Sequence, residues 1–108
     1  AGLIGGFSFA DPVPHGSGCV TASLGRRMSV ADSSEEGPGV ALLTMRRPKV
    51  KNAFNDDMYR DLTAALEWAA KLPSEEVACV LITGAGDFFS SGADLAGGRP
   101  SGPSRDAP

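Results

Sequence analysis

Val77-Ala-Cys-Val-Leu-Ile-Thr83, followed directly by Gly84-Ala-Gly-Asp-Phe-Phe-Ser-Ser-Gly-Ala-Asp-Leu95, is the stretch that decides the fold. The first part is almost continuously apolar and rich in β-branched residues. A strand buried on both faces reads this way, as in a parallel sheet flanked by helices. Cys79, inside the run, reads as a small core residue. The second part opens where that strand ends. In open α/β sheets, ligands bind outside the C-terminal ends of the strands.

Working upstream, Pro73 is a stop signal for a preceding helix. Asn55 is a good N-cap for that helix, because its side chain accepts from an N–H a few residues on. Asp56 and Asp57 follow in the first turn, where the helix dipole favours negative charge. Phe54 before the cap and Tyr59 after it make a hydrophobic staple. Met58, Leu62, Leu66 and Ala69 share one face. Further upstream, Val40 to Met45 is a short apolar run bounded by Gly39 and Arg46-Arg47-Pro48, and reads as a buried strand. Strand, helix, strand makes a βαβ unit, so the chain is read as α/β.

Away from this unit the pattern fades. Residues 1–38 are punctuated by Gly and Pro and sustain no period, so they read as a disordered leader. Met28 is a candidate natural start; a transit-type leader with Arg26 and Arg27 is the alternative. Residues 96–108 are rich in Gly, Pro and Ser and read as a disordered tail. That leaves 39–95 as the ordered domain. So small a domain is marginal alone.

Composition excludes several classes. The chain has 108 residues and a net charge of −3, with no basic stripe for nucleic acid. The local cluster Arg46, Arg47, Lys49 and Lys51 reads as a solvated turn, or as a site for a phosphate-bearing ligand. Cys19, Cys79 and His15 lack metal-ligand spacing, and a disulfide framework is not expected, which suggests a reducing compartment. No run approaches the roughly 18 apolar residues of a membrane span. Gly84 and Gly86 fail the dinucleotide pattern because position 89 is Phe. Ser90 and Ser91 lack the frame of a serine nucleophile. Glu35, Glu36, Glu67, Glu75 and Glu76 read as solvated. Taken alone, Gly92-Ala93-Asp94 is a strand-to-helix turn with Asp94 as cap.

The joint arrangement says more. Arg47-Pro-Lys-Val-Lys-Asn-Ala53 ends one strand, a helix follows, and Thr83-Gly-Ala-Gly-Asp-Phe-Phe-Ser-Ser-Gly-Ala-Asp-Leu95 ends the next. This order and separation resemble the N-terminal part of the crotonase superfamily, the enoyl-CoA hydratases and isomerases. The spelling around Asn55, Met58, Tyr59, Ser90 and Ser91 looks most like the Δ3,Δ2-enoyl-CoA isomerases. The resemblance covers residues 39–95.

The resemblance implies a partial crotonase-like fold and an acyl-CoA ligand. It implies the N-terminal fragment of an enoyl-CoA isomerase of fatty-acid β-oxidation, itself inactive. An enoyl-CoA hydratase fragment and a non-catalytic acyl-CoA-binding or assembly module are the alternatives. Ala93 would offer its backbone N–H to the thioester oxygen, and Gly92 would permit the turn. Ser90, Ser91, Gly92, Asp94 and Leu95, with Lys49, Val50, Lys51 and Ala53, would bind CoA. Asn52 would anchor the turn. No cofactor is implied beyond coenzyme A as part of the substrate, and no metal. The family's second oxyanion donor and its catalytic glutamate have no counterpart in these residues, nor does the usual strand before Val40. The full-length parent would be a homotrimer in peroxisome or mitochondrion, with cytoplasm as the alternative.

Overall fold

The computed structural model describes residues 3–4, 6–29 and 37–93. The strands are β1 (Leu3–Ile4), β2 (Phe7–Phe9), β3 (Val13–His15), β4 (Val20–Arg27), β5 (Gly39–Met45) and β6 (Val77–Gly84). A 3-10 turn at Pro48–Val50 and helix α1 (Asp56–Ala70) lie between β5 and β6. All six strands join one mixed sheet, in the order β1-β2-β4-β5-β6, with β3 also pairing with β4. The class is α/β.

The expected βαβ unit is β5-α1-β6. Its strands pair in parallel from Gly39 opposite Val77 to Met45 opposite Gly84. Helix α1 starts as its sequence dictates. The Asn55 side chain accepts from the Met58 N–H at 2.9 Å, and the Phe54 and Tyr59 rings meet at 5.0 Å. The core lies between this helix and the sheet. It comprises Val20 and Ala22 of β4, Leu43 and Met45 of β5, and Met58 and Ala65 of α1, with Phe54, Leu62, Trp68 and Ile82 packed around it.

Five expectations are corrected. Residues 1–38 are not an unstructured leader, because β1 to β4 fall within them and β4 pairs antiparallel with β5 along six residue pairs, from Val20 opposite Met45 to Gly25 opposite Val40. The strand before Val40 is therefore present. Its signal was the alternation of Val20, Ala22 and Leu24 with Thr21 and Ser23. Gly and Pro hide that alternation, and they are tolerated because β3, with Pro14, lies at the sheet margin. The tail at 96–108 lies outside the described residues.

The helix face is also turned from the one expected. Met58, Asp61, Ala65 and Ala69 are buried, whereas Leu66 is 39% exposed. The small Ala65 and Ala69 let the helix approach the sheet closely, and Asp61 finds hydrogen-bond donors there. β6 is not covered on both faces by the described residues: Val80 is 42% and Leu81 52% exposed. Cys79 is likewise exposed rather than core. Cys79 and Leu81 pair with Val40 and Leu42 on the face that α1 does not cover, while Val80, beside Ala41 on the helix face, is bare because α1 packs over β4 and β5 rather than over the start of β6. Glu76, read as solvated, has its side chain 45% exposed and approaches Arg26 at 3.8 Å.

Candidate functional site

Two loops leave the C-terminal ends of the parallel neighbours β5 and β6, so the sheet itself brings residues 46–55 beside residues 85–93. The Ala85 N–H donates to the Met45 carbonyl at 2.8 Å where the loops diverge. Asn52 then ties them together. It is fully buried and left-handed, at φ 53°. Asn tolerates that conformation better than most residues. Its Oδ1 accepts from the Arg47 N–H at 2.8 Å. Its Nδ2 donates to the carbonyls of Ala85 at 2.9 Å and Phe88 at 2.7 Å. One side chain thus satisfies groups from both loops, which supports its reading as an anchor.

The two loops also pair directly. The Ser91 N–H donates to the Lys51 carbonyl at 2.9 Å, and the Phe54 N–H to the Gly92 carbonyl at 2.8 Å. Ser90 Oγ donates to the Asn52 carbonyl at 2.8 Å and accepts from the Gly92 N–H at 3.0 Å. Gly84 explains the tightness: a Cβ there would lie 2.4 Å and 2.5 Å from the carbonyl oxygens of Phe89 and Phe88. Gly92 is required for a different reason. Its φ is +95°, but nothing lies near its missing Cβ, so conformation rather than crowding selects glycine.

Ala93 pairs with Phe54 as an isolated parallel bridge. In that bridge Phe54 supplies its own N–H, to Gly92. By the geometry of parallel pairing, the N–H of Ala93 then points away from Phe54. It faces no acceptor among the described residues. Beside it opens a cleft of ≈ 330 Å³ lined by Phe54, Tyr59, Phe89, Ser90, Gly92 and Ala93. The arrangement can therefore present a fixed backbone donor at the mouth of a largely apolar cleft.

Of the other residues singled out by sequence, Lys49, Val50 and Lys51 lie exposed on the first loop, and Ala53 is buried beneath it. Lys51 Nζ sits 5.0 Å over the Phe88 ring, a cation–π contact. Ser90, Ser91, Gly92 and Ala93 lie along the second loop beside them. Asp94 and Leu95 lie outside the described residues. Sequence reasoning missed Phe54, Tyr59 and Phe89 as cleft residues. The staple around Asn55 was the available signal for the first two. Among the described residues no cluster of His, Cys, Asp or Glu is placed to hold a metal, and no helix is long and apolar enough to cross a membrane.

Asp61 lies apart from the cleft and was also missed. Its carboxylate accepts from Ser17 Oγ at 2.6 Å, the Ser17 N–H at 3.0 Å and the Cys19 N–H at 2.9 Å. Burial pushes its carboxyl up, but the hydrogen bonds from Ser17 and Cys19 outweigh this and hold it below its ordinary 3.8.

The enoyl-CoA hydratase/isomerase family model matches residues 35–107, and the chain belongs to that family. It is 40% identical over 57 residues to enoyl-CoA delta isomerase 2 of Homo sapiens, covering 53% of this chain and 14% of that protein. It is 41% identical over 68 residues to a probable enoyl-CoA hydratase of Rhodobacter capsulatus, covering 63% of this chain and 25% of that protein. The chain thus spans a quarter or less of either relative. Among solved structures, one described as a dehydratase/decarboxylase enzyme couple involved in polyketide β-branching matches 82% of this chain and 35% of its own. The TM-score is 0.58 at 22% identity, a likeness of fold alone.

Proposed function

We propose that these residues form the N-terminal part of an enoyl-CoA isomerase acting on unsaturated fatty acyl-CoA in β-oxidation. The observation that carries the reading is the outward N–H of Ala93 beside the apolar cleft. Removing a proton next to a thioester moves negative charge onto the thioester oxygen. A preorganised N–H stabilises that charge by about 2.7–4 kcal/mol in comparable oxyanion holes. Asn52 and Ser90 hold the donor in place through the loop hydrogen bonds. By the family resemblance, Lys49, Val50, Lys51, Ala53, Ser90, Ser91, Gly92, Asp94 and Leu95 are assigned to binding coenzyme A, which enters only as part of the substrate. The parent is a homotrimer of peroxisome or mitochondrion in this reading.

Among the described residues, those lining the cleft include no carboxylate to move the proton. The 108-residue chain is therefore expected to bind an acyl-CoA without turning it over. Calorimetry with 3-hexenoyl-CoA and the thioether that lacks its carbonyl tests the donor. The thioester should bind more tightly by about 0.5–1.5 kcal/mol, the net worth of one hydrogen bond. Equal affinity would remove Ala93 from the role, and isomerisation by the chain alone would refute the inactive assignment.

The hydratase reading is the second one, supported by the identity to the Rhodobacter capsulatus protein, since one oxyanion donor serves both reactions. The natural protein carrying these residues, given 3-hexenoyl-CoA, should shift the double bond without adding water. Hydration of 2-hexenoyl-CoA as its main activity would favour the second reading.

A further inference from the structure

We propose that Arg47 is a positioning residue for the thioester donor: its guanidinium polarises the Ala93 N–H through two hydrogen-bonded peptide units. This rests on Ala93 as the thioester donor and adds what sets the strength of that donor.

A trans peptide unit points its carbonyl and its N–H in opposite directions, and resonance links the two. Arg47 Nη1 donates to the Ala53 carbonyl. The same peptide unit carries the Phe54 N–H, which donates to the Gly92 carbonyl at 2.8 Å. The Gly92 carbonyl in turn shares its unit with the Ala93 N–H beside the cleft. A cation thus stands at the head of a line that runs through the Ala53–Phe54 unit and the Gly92–Ala93 unit to the thioester oxygen. A charge-assisted bond at the Ala53 carbonyl draws electron density from the Phe54 nitrogen. Its N–H becomes a stronger donor to Gly92, and the effect repeats at Ala93. Each bond in such a chain strengthens the next by about 10–30%.

Two features keep the line intact. Arg47 is anchored by its own backbone: its N–H donates to Asn52 Oδ1 and its carbonyl accepts from the Asn52 N–H, both at 2.8 Å. Ala53 is buried, and the guanidinium contact to it is partly buried, so water screens the charge less than at an open surface. The Ser91 N–H, which donates to the Lys51 carbonyl at 2.9 Å, and the Ala85 N–H, which donates to Met45, lie outside the line.

The test is nuclear magnetic resonance of the 108-residue chain, Arg47→Met and Arg47→Lys, with circular dichroism confirming that each is folded. In Arg47→Met, which loses the charge, the amide protons of Phe54 and Ala93 should move upfield while those of Ser91 and Ala85 stay. Arg47→Lys, which keeps a cation, should hold all of them near their parent positions. With 3-hexenoyl-CoA bound, the infrared shift of its thioester carbonyl from the free value should shrink by about 10–30% in Arg47→Met. If Ser91 and Ala85 move as well, Arg47 only holds the loop in shape and the relay is overturned. If Ala93 stays, the line ends before the donor and the relay is equally overturned. The parent chain offers a measurement that needs no variant. The coupling across the hydrogen bond from the Phe54 nitrogen to the Gly92 carbonyl carbon should exceed that from Ser91 to Lys51, and equal couplings would overturn the relay. If the amides respond as expected but the bound thioester carbonyl is unshifted in the parent chain, the relay to Ala93 stands and the thioester-donor reading fails.

Discussion

Asn52 shows how much one side chain decides. It is buried, left-handed, and bonded to Arg47, Ala85 and Phe88. An amide fits because it offers an acceptor on one side and donors on the other. A carboxylate of the same size would face two carbonyl oxygens with no proton to give. Asn52→Asp is therefore expected to destabilise the chain by at least as much as Asn52→Ala, about 2–4 kcal/mol in either case. Urea unfolding of both variants reads this directly. A near-neutral Asn52→Asp would mean that the two loops are held by their backbone pairing alone.

At the scale of elements, Asp61 fastens α1 to the turn between β3 and β4. Gly16 is part of the fit, since a Cβ there would collide with the carboxylate. The carboxyl is held below its ordinary value in the folded chain, so the unfolded chain binds protons more readily. Its contribution is thus present above the unfolded pKa of 3.8 and lost as pH falls through the lower folded value. Thermal unfolding of Asp61→Asn, scanned from neutral to strongly acid pH, should lose less stability with acid than the parent chain. At neutral pH the variant should be less stable by about 1–3 kcal/mol, because amide protons of Ser17 and Cys19 lose a charged acceptor. An unchanged acid profile would assign the acid sensitivity to other carboxylates.

For the whole molecule, the described residues cover the sheet on one face, over β4 and β5, and leave the start of β6 bare on both. Val80 and Leu81 of β6 are half exposed, and β6 is the last strand in the sheet order among the described residues. An apolar strand with unpaired backbone groups templates association. The isolated 108-residue chain is expected to sediment as concentration-dependent oligomers. Leu81→Lys should shift it toward monomer, since a charge on the strand opposes edge-to-edge pairing. A parent chain that stays monomeric at high concentration would show that the exposed strand is protected in solution.

Local chemistry was enough to read β5, α1, β6 and the two loops from sequence. Asn55 caps its own helix, Pro73 ends it, and Gly84 and Gly92 mark where backbones meet or turn. These signals act within a few residues, whereas the anchoring role of Asn52 came from the family resemblance, and two of its partners, Ala85 and Phe88, lie on the other loop. The tertiary structure alone decided the rest. β2 and β3 are too short and too broken by Pro12 and Pro14 to carry a period, and they become strands by pairing with β4. Asp61 is buried because Ser17 and Cys19, distant in sequence, meet its charge. The long apolar run of β6 promised burial on both faces, yet a sequence pattern records what a strand can cover and not which neighbours arrive to cover it. Only the packing of α1 on one side of the sheet settled that.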